Sequence, residues 1–353
     1  MIYYLLLQEH EITEEFFSEN TQLKKISIPP SITSIGENAF KKCTSLEQIS
    51  IPSSVTSIKP YAFEECSSLT YIEIPSSVTV IRFGTFLLCS RLKEISIPST
   101  VTLIGGKAFY DCFSLAEISI PTSLTKIGWC TFRSCNSIKR ISIPSTVKTI
   151  ERQSFIECIS LTEIKIPSSV IKIDQEAFRY CKSLTRIIIP SSVKWIGCDS
   201  FCECDSLSDF IFETPSSVKI IEDGAFSQCI KLLQITIPSS VTSLGCSAFL
   251  GCYGLEQISF ETPSSLTSIK AGTFWMCKSL TQISIPSSVT SIGYSAFEEC
   301  SALTQITIPS SVTEIGDKIF EECSSLTQIS IPSSFDLDQE YFGVSSEVNI
   351  IKY

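Results

Sequence analysis

A ten-residue segment that ends in a proline-serine turn recurs along almost the entire chain. Leu280–Val289 reads LTQISIPSSV, and Leu303–Val312 reads LTQITIPSSV 23 residues later. The anchor prolines of this unit are Pro29, Pro52, Pro75, Pro98, Pro121, Pro144, Pro167, Pro190, Pro215, Pro238, Pro263, Pro286, Pro309 and Pro332. Their spacing is 23 residues, except before Pro215 and Pro263, where it is 25. So regular a period predicts a solenoid, in which each coil packs on its neighbours.

The repeat also decides the domain organisation. A chain of 353 residues would ordinarily suggest two domains. A solenoid grows by adding coils and needs no second core, so residues 1–353 are predicted to form a single solenoid. Residues 23–334 are the regular repeats. Residues 1–22 and 335–353 are degenerate copies, as expected of capping coils that meet water on one side.

Both caps have apolar residues at the core spacing of the repeat, but they lack its regular proline and cysteine. Ile12 and Phe17 retain the core positions at the N-terminus, while Leu6 and Asn20 replace the anchor proline and cysteine. At the C-terminus the register shifts by one residue, and Val348–Tyr353 reads as a last short strand. The core positions of that last unit are Leu337, Phe342 and Val348.

One coil, Leu69–Leu92, shows how each unit is built. Ile72 and Ile74 alternate with polar residues, which predicts a short strand, and Pro75 ends it because proline donates no hydrogen bond. Phe86, Cys89 and Leu92 follow at three-residue spacing, which is typical of a helical or 3₁₀ turn. The predicted fold is therefore an α/β repeat with a parallel sheet on one face. The extra residues Glu213-Thr214 and Glu261-Thr262 should bulge at the strand end.

Phenylalanine recurs thirteen times at one core position of the repeat, and cysteine recurs thirteen times at another. The phenylalanines run from Phe40 to Phe320, and the cysteines are Cys43, Cys66, Cys89, Cys112, Cys135, Cys158, Cys181, Cys204, Cys229, Cys252, Cys277, Cys300 and Cys323. Neighbouring coils place these cysteines within disulfide range, but the position faces inward, where cysteine acts as a small apolar residue. A reduced, buried ladder is favoured over disulfides or a bound metal.

Four further cysteines lie outside this ladder and are expected to be more exposed: Cys130, Cys198, Cys202 and Cys246. Residues 198–204 read CDSFCEC, a spacing that suggests thiolate metal ligands. Cys204 is predicted to face the core and Cys202 to face outward, so the three thiols should not converge. No metal site is predicted.

The consensus of the repeat, LxxIxIPSSVTSIGxxAFxxCSS, resembles the BspA-like, Treponema-type leucine-rich repeat over nearly the whole chain. The resemblance implies a curved leucine-rich-repeat solenoid. The commoner leucine-rich repeat has an asparagine at the turn, where this chain has Ser54 and its equivalents. The family occurs on surfaces of bacteria and parasitic protists, and its members are mostly regarded as adhesins or antigens that bind host proteins.

Composition and motifs exclude several functions. The net charge of −10 argues against nucleic acid and against an anionic membrane surface. The sequence has no run of 18 apolar residues, so no membrane span is predicted. Histidine occurs once, at His10, which removes cysteine–histidine and serine–histidine catalysis from the repeats. No phosphate-binding loop is present, so the chain is predicted to be no enzyme and to need no cofactor.

The outward side chains of the predicted sheet are the expected binding surface. They are monotonous Gln, Ser and Thr in the C-terminal third and varied in the middle of the chain. The candidate protein-binding residues are Arg140, Glu163, Lys165, Arg186, Ile188, Asp209 and Ile211. The alternative for any single one of these residues is that it is a solvent-exposed side chain with no role in binding. Apolar residues on the opposite face, such as Trp129 and Trp195, are a second place where a partner could bind.

Two functions follow, and they differ in compartment. The resemblance predicts an adhesin-like protein at the cell surface that contacts host or matrix proteins through the sheet face. The alternative is a cytoplasmic scaffold for protein interactions. That alternative is favoured by the many reduced thiols, by the absence of a basic signal-peptide start and by the absence of glycosylation sequons.

Overall fold

Successive coils of the chain stack in register, one repeat apart. The computed structural model describes residues 2–3 and 10–353, so Leu6 lies outside the described residues. Two compact units are present, Met1–Val170 and Ile171–Tyr353. Each consists of parallel-strand coils of about 23 residues, which confirms the predicted solenoid class.

The predicted strand is present in every described coil except the one at Gln282, and most of these strands pair in parallel with the equivalent strand 23 residues away, as Lys25 does with Gln48. We call these the first strands. In the first unit they are Ile2–Tyr3, Lys25–Ser27, Gln48–Ser50, Tyr71–Glu73, Glu94–Ser96, Glu117–Ile118, Arg140–Ser142 and Glu163–Lys165. In the second unit they are Arg186–Ile189, Asp209–Phe212, Gln234–Ile237, Gln257–Phe260, Gln305–Thr307, Gln328–Ile331 and Asn349–Lys352.

A second strand of two residues follows the turn in every described coil before the C-terminal cap and was not predicted. In the first unit these second strands are Glu11–Ile12, Ser34–Ile35, Ser57–Ile58, Val80–Ile81, Leu103–Ile104, Lys126–Ile127 and Thr149–Ile150. In the second unit they are Lys172–Ile173, Trp195–Ile196, Ile220–Ile221, Ser243–Leu244, Ser268–Ile269, Ser291–Ile292 and Glu314–Ile315. These strands have only two residues, one of them inward, so the sequence shows no alternation from which they could have been predicted.

The helical or 3₁₀ turn predicted for each coil is wrong: the segment is a stack of β-turns. Phe40 donates its N–H to Ala62 of the next coil, and Lys42 donates to Glu64, over 2.8 and 2.7 Å. Asn38 and Lys42 have φ angles of 54° and 56°, which no right-handed helix contains. Alternate backbone donors therefore bind the neighbouring coil, while those between them close turns within their own coil, as Lys41 N–H does with the Asn38 carbonyl. The single α-helix among the described residues is Gln339–Phe342, in the C-terminal cap.

A column of phenylalanine rings forms the centre of the core. Phe40, Phe63 and their equivalents are almost wholly buried and stack face to face, with ring centroids 5.3 Å apart for this pair and 5.1 Å for Phe226–Phe249. Offset stacking at this distance is favourable beyond the burial of the rings. The column fixes the spacing of the coils on the turn side.

Both caps continue this core. Ile12, Phe17 and Leu23 are buried, and Phe17 stacks on Phe40 with centroids 5.0 Å apart. At the other end Phe342 and Val348 are buried, as predicted, while Leu337 is half-buried. Asn349–Lys352 pairs with Gln328–Ile331, so the last predicted strand is confirmed.

Serine hydroxyls replace an asparagine ladder at the proline turn. Ser54 Oγ donates to the carbonyl of Ile32 in the preceding coil over 2.7 Å, and Ser311 Oγ donates to Val289 over the same distance. The two inserted segments follow a different pattern. The Glu261 carboxylate accepts the Ser239 backbone N–H at 2.9 Å, so the bulge is tied to the preceding coil and the coils stay stacked.

Candidate protein-binding surface

In the first unit, the structure brings three of the predicted residues together. Arg140 lies beside Glu163 on the paired strand, and Lys165 lies beside Ser142. Their exposed side chains line a shallow depression of about 270 Å³, whose floor includes Ile118. Among the described residues, none of the three forms an ion pair within 4 Å, so their charges are available to a partner.

A larger groove adjoins this depression and was not predicted. It has a volume of about 870 Å³ and lies where the ladder of first strands is interrupted after Glu117–Ile118. Its lining comes from 94–97, 116–120 and the start of the strand at Arg140. Ile118 and Ile120 are half-buried there, although the equivalent Ile72 and Ile74 are almost fully buried. The gap therefore uncovers part of the apolar core.

Two glutamates line the far side of this groove. Glu94 and Glu117 are neighbours on paired strands and both are exposed. Like charges on adjacent strands repel each other. No ion pair within 4 Å neutralises either of them in the part of the chain that the structure describes. The outward position of both residues was readable from the repeat, but the gap beside them was not.

In the second unit, the other four predicted residues form two adjacent pairs. Arg186 Nε lies 2.9 Å from Asp209 Oδ2, so these two charges neutralise each other. Ile188 is paired in register with Ile211, and its side chain is 39% exposed while Ile187 is buried. This pair is a small apolar patch between polar neighbours.

The second unit also has an uncharged groove of about 820 Å³. It is lined by Gln257–Phe260, by 262–264 and by 282–288. There the first strand is reduced to one bridge between Gln257 and Gln282, and Phe260 and Ile285 are half-buried. The inserted pair Glu261-Thr262 precedes this opening. Its walls contain serine, threonine and glutamine and no charged side chain.

The cysteine ladder is buried, and no disulfide forms among the described residues. Cys66 Sγ donates to the Phe40 carbonyl of the preceding coil over 3.2 Å, and Cys300 Sγ donates to Phe274 over the same distance. Burial raises the pKa of the Cys252 thiol to about 12. These thiols are neutral, which makes them poor nucleophiles and poor metal ligands.

Two of the four remaining cysteines are less exposed than predicted. Cys130 is buried beneath Gln153, which lies 3.0 Å from its sulfur. Cys202 is buried beside Arg179 and Ser227, and burial raises the pKa of its thiol to about 11. Longer side chains of the adjacent coils cover both small thiols. The prediction that Cys202 faces outward was wrong.

Cys198 and Cys246 are half-buried, as the prediction of greater exposure required. Burial, with a smaller contribution from the Glu222 carboxylate 2.9 Å away, raises the pKa of the Cys198 thiol to about 11. The residues that the structure describes contain no group of three His, Cys, Asp or Glu side chains placed to hold a metal ion. His10 is exposed and lies 3.1 Å from the Ser31 carbonyl.

Aromatic side chains cluster on the turn side of the first unit. Phe83 contacts Trp129 two coils away, with ring centroids 5.6 Å apart, and it also contacts Tyr61. Gly84 has a φ of +61°, and a Cβ there would lie 2.6 Å from the Tyr61 ring. Glycine thus makes room for the aromatic side chain. Trp129 is 44% exposed, so the cluster is only partly covered.

None of the helices in the described part of the chain is long and apolar enough to cross a membrane.

Comparison with known proteins agrees with this architecture. A family model described as BspA type leucine-rich repeat region matches residues 10–139, 130–256 and 253–352. A leucine-rich repeat protein from Bacteroides ovatus is 28% identical, with a TM-score of 0.73 over 95% of this chain and 92% of that one. One from Eubacterium ventriosum is 27% identical, with a TM-score of 0.58 over 84% and 81%. No curated protein matches significantly. The chain therefore belongs to the BspA-type leucine-rich repeat family.

Proposed function

We propose that this chain is a non-enzymatic protein-binding module, an adhesin-like surface protein that contacts host or matrix proteins through its first strands. Family membership supports a role in protein interaction. The observation that carries the proposal is the outward face of the first strands. It displays Arg140, Glu163 and Lys165, whose charges have no ion-pair partner within 4 Å among the described residues. It also displays an apolar pair in which Ile188 is exposed and Ile211 is half-buried.

The repeat fold suits recognition of a partner better than it suits catalysis. In the strands at Arg140 and Glu163 the inward residues are buried and the outward residues are exposed, so the outward side chains can vary without disturbing the core. The ladder cysteines are neutral thiols, the single described histidine has no cysteine, serine or acidic side chain of the described residues within hydrogen-bond distance, and the acidic residues spread along the coils. A broad surface of this kind binds a protein partner through many side chains.

Substitution of the candidate residues tests the binding face. Each unit is changed separately, with Arg140, Glu163 and Lys165 to alanine in one variant and Arg186, Ile188, Asp209 and Ile211 to alanine in another. Gln305→Ala with Gln328→Ala is the matched control on outward positions of regular strands. Binding to a panel of purified matrix proteins should fall in a candidate variant and stay unchanged in the control. If both candidate variants and the control bound these proteins as tightly as the unchanged chain, the outward face of the first strands would be rejected as the binding surface.

The cytoplasmic scaffold is retained as a second proposal because of the reduced cysteine ladder. The ladder does not decide between the compartments, since buried neutral thiols resist oxidation outside the cell as well. Antibody labelling of intact and permeabilised source cells separates the two. Labelling of intact cells supports the surface protein. Labelling only after permeabilisation supports the scaffold and redirects the partner search to the lysate.

A further inference from the structure

We infer that the gap after Glu117–Ile118, one of two interruptions of the first-strand ladder in the first unit, binds an extended segment of a partner protein, with a basic, an apolar and an acidic side chain at alternate positions. The inference rests on the proposed protein-binding function and gives it a place and a partner chemistry. We call the gap, together with the depression beside it, the mixed-charge groove; 94–97, 116–120, 139–142 and 163–165 line it.

The two walls of the mixed-charge groove carry opposite charge. Glu94 and Glu117 form the acidic wall. Arg140 and Lys165 dominate the other wall, with Lys139 at its edge and Glu163 between them. All these side chains are exposed, and none has an ion-pair partner within 4 Å among the described residues. In contrast, Arg186 and Asp209 of the second unit neutralise each other on the same face. The mixed-charge groove thus presents separated, uncompensated charges to a ligand.

The floor between the walls is apolar and its backbone is open. Ile97, Ile118 and Ile120 are half-buried there. In a regular coil the Ile74 N–H donates to the Ser96 carbonyl over 3.0 Å. Among the described residues, the Ile97 and Ile120 N–H groups have no such partner. An apolar ligand side chain would cover the isoleucines, and backbone carbonyls of a ligand that crosses the coils would accept from the free N–H groups.

The spacing of the walls sets the pattern of the ligand. Four neighbouring coils, from Glu94 to Lys165, span about 14 Å at roughly 4.8 Å per strand. An extended peptide rises about 3.3 Å per residue and points alternate side chains to one face. Residues one, three and five of such a segment therefore cover about 13 Å. A basic residue at one end reaches the glutamates, an acidic residue at the other reaches Arg140 and Lys165, and the apolar residue between them meets the floor.

A displayed library of random peptides, selected against the full chain, tests this inference. The expected result is enrichment of segments with Lys or Arg, an apolar residue and Asp or Glu at alternate positions. Affinity of a selected peptide, measured by fluorescence anisotropy, should fall about tenfold or more in Glu94→Lys with Glu117→Lys, because both charges that meet its basic residue are reversed. Raising the salt concentration should weaken binding to the unchanged chain.

The charge-reversed variant should also gain binding to a peptide of altered charge. A variant that had merely unfolded would not show such a gain. The reversed variant should prefer a peptide whose basic residue is replaced by glutamate, and the unchanged chain should not. Gln305→Lys with Gln328→Lys is the control for added positive charge on the same face. Selection of peptides without the pattern, or of none, would overturn the inference.

Failure of the inference is distinguishable from failure of the proposed function. If purified matrix proteins bind the reversed variant as tightly as the unchanged chain, the mixed-charge groove is rejected and protein binding stands. Loss of matrix-protein binding in the candidate alanine variant of the second unit, but not in the reversed variant, would likewise place the contact elsewhere and overturn the inference.

Discussion

At the scale of the residue, each repeated core position has its own physical task. The phenylalanine fills the turn side of a coil and stacks on the rings of its neighbours. The cysteine is small enough for the same layer, and its thiol donates to a phenylalanine carbonyl of the preceding coil. Alanine would occupy this place but would remove the second donor to the carbonyl, which also accepts the backbone N–H of the cysteine in its own coil. The sequence predicted that both positions are buried, but the thiol hydrogen bond depends on a backbone geometry that no residue pattern shows.

Truncation of one ring of the phenylalanine column should be costly. Phe178 is fully buried and stacks on Phe201 with centroids 5.4 Å apart. Phe178→Ala should lower the free energy of unfolding by about 3–5 kcal/mol, through lost burial and a cavity that the stacked coils cannot close. Urea denaturation measures the change. Phe113→Ala, at a phenylalanine that is 41% exposed, is the control and should change stability little. Equal denaturation midpoints for the two variants would contradict the core assignment.

The buried thiols should make the protein sensitive to alkali. Burial raises the pKa of the Cys158, Cys252 and Cys323 thiols to about 12, from an ordinary value of 9.0. Between these values the unfolded chain loses thiol protons that the folded chain keeps. Stability is therefore fully present below about pH 9 and falls as the pH rises toward 12, by up to about 1.4 kcal/mol per pH unit for each thiol.

Urea denaturation under reducing conditions at about pH 8 and about pH 10 measures this dependence. Lysine and tyrosine also titrate in alkali, so a variant with Cys229, Cys252 and Cys277 changed to alanine serves as the comparison. Its stability should depend less steeply on pH than that of the unchanged chain. The same slope in both proteins would show that the ladder thiols do not cause the loss.

At the scale of the element, some features of a coil could be read from the sequence and others could not. The first strands follow from the alternation of isoleucine with polar residues, and the proline marks their end. The β-turn stack escaped prediction because its left-handed residues include Asn38, Glu65 and Cys130 rather than glycine alone. Three-residue spacing of core side chains fits a turn stack and a helical turn equally well, so hydrogen bonds between coils decide which one forms.

The binding face shows the same division. Residues on outward positions, such as Arg140 and Lys165, were identified from the period alone. The gap beside them depends on where the strand ladder is interrupted, and Ile118 occupies the same sequence position as the buried Ile72. Both coils have isoleucine at these inward positions, so the core pattern does not distinguish them. Packing of the whole stack therefore determines which apolar residues become accessible.

The serine ladder offers a prediction for a single hydrogen bond between coils. Ser311 Oγ donates to the Val289 carbonyl over 2.7 Å, and the preceding Ser310 is exposed without a hydrogen bond in the described structure. Ser311→Ala should destabilise the protein by about 1–3 kcal/mol, since a partly buried carbonyl loses its donor. Ser310→Ala should be nearly neutral. Thermal unfolding compares the two, and equal melting temperatures would show that the ladder contributes nothing.

At the scale of the whole molecule, the repeat is a stronger constraint than the chain length. The 23-residue period runs from Pro167 to Pro190 without a break, although the chain divides into compact units at Val170. The prediction of a single solenoid therefore stands as a proposal. Limited proteolysis tests it: a single solenoid should not be cut first between Val170 and Ile171. Early cleavage there, into two stable fragments, would favour two independent domains.

Removal of one complete coil should leave a folded protein, because most contacts of a coil are with its immediate neighbours. Deletion of residues 287–309 removes 23 residues and joins Pro286 to Ser310, which restores the same sequence register. The variant should keep a cooperative thermal transition and its β-type circular dichroism. Deletion of residues 287–298 instead interrupts the period and removes Phe297, which links Phe274 to Phe320 in the phenylalanine column, so it should unfold much of the second unit. If both deletions behaved alike, stability would not depend on the register of the stack, and the core described above would not be what holds the coils together.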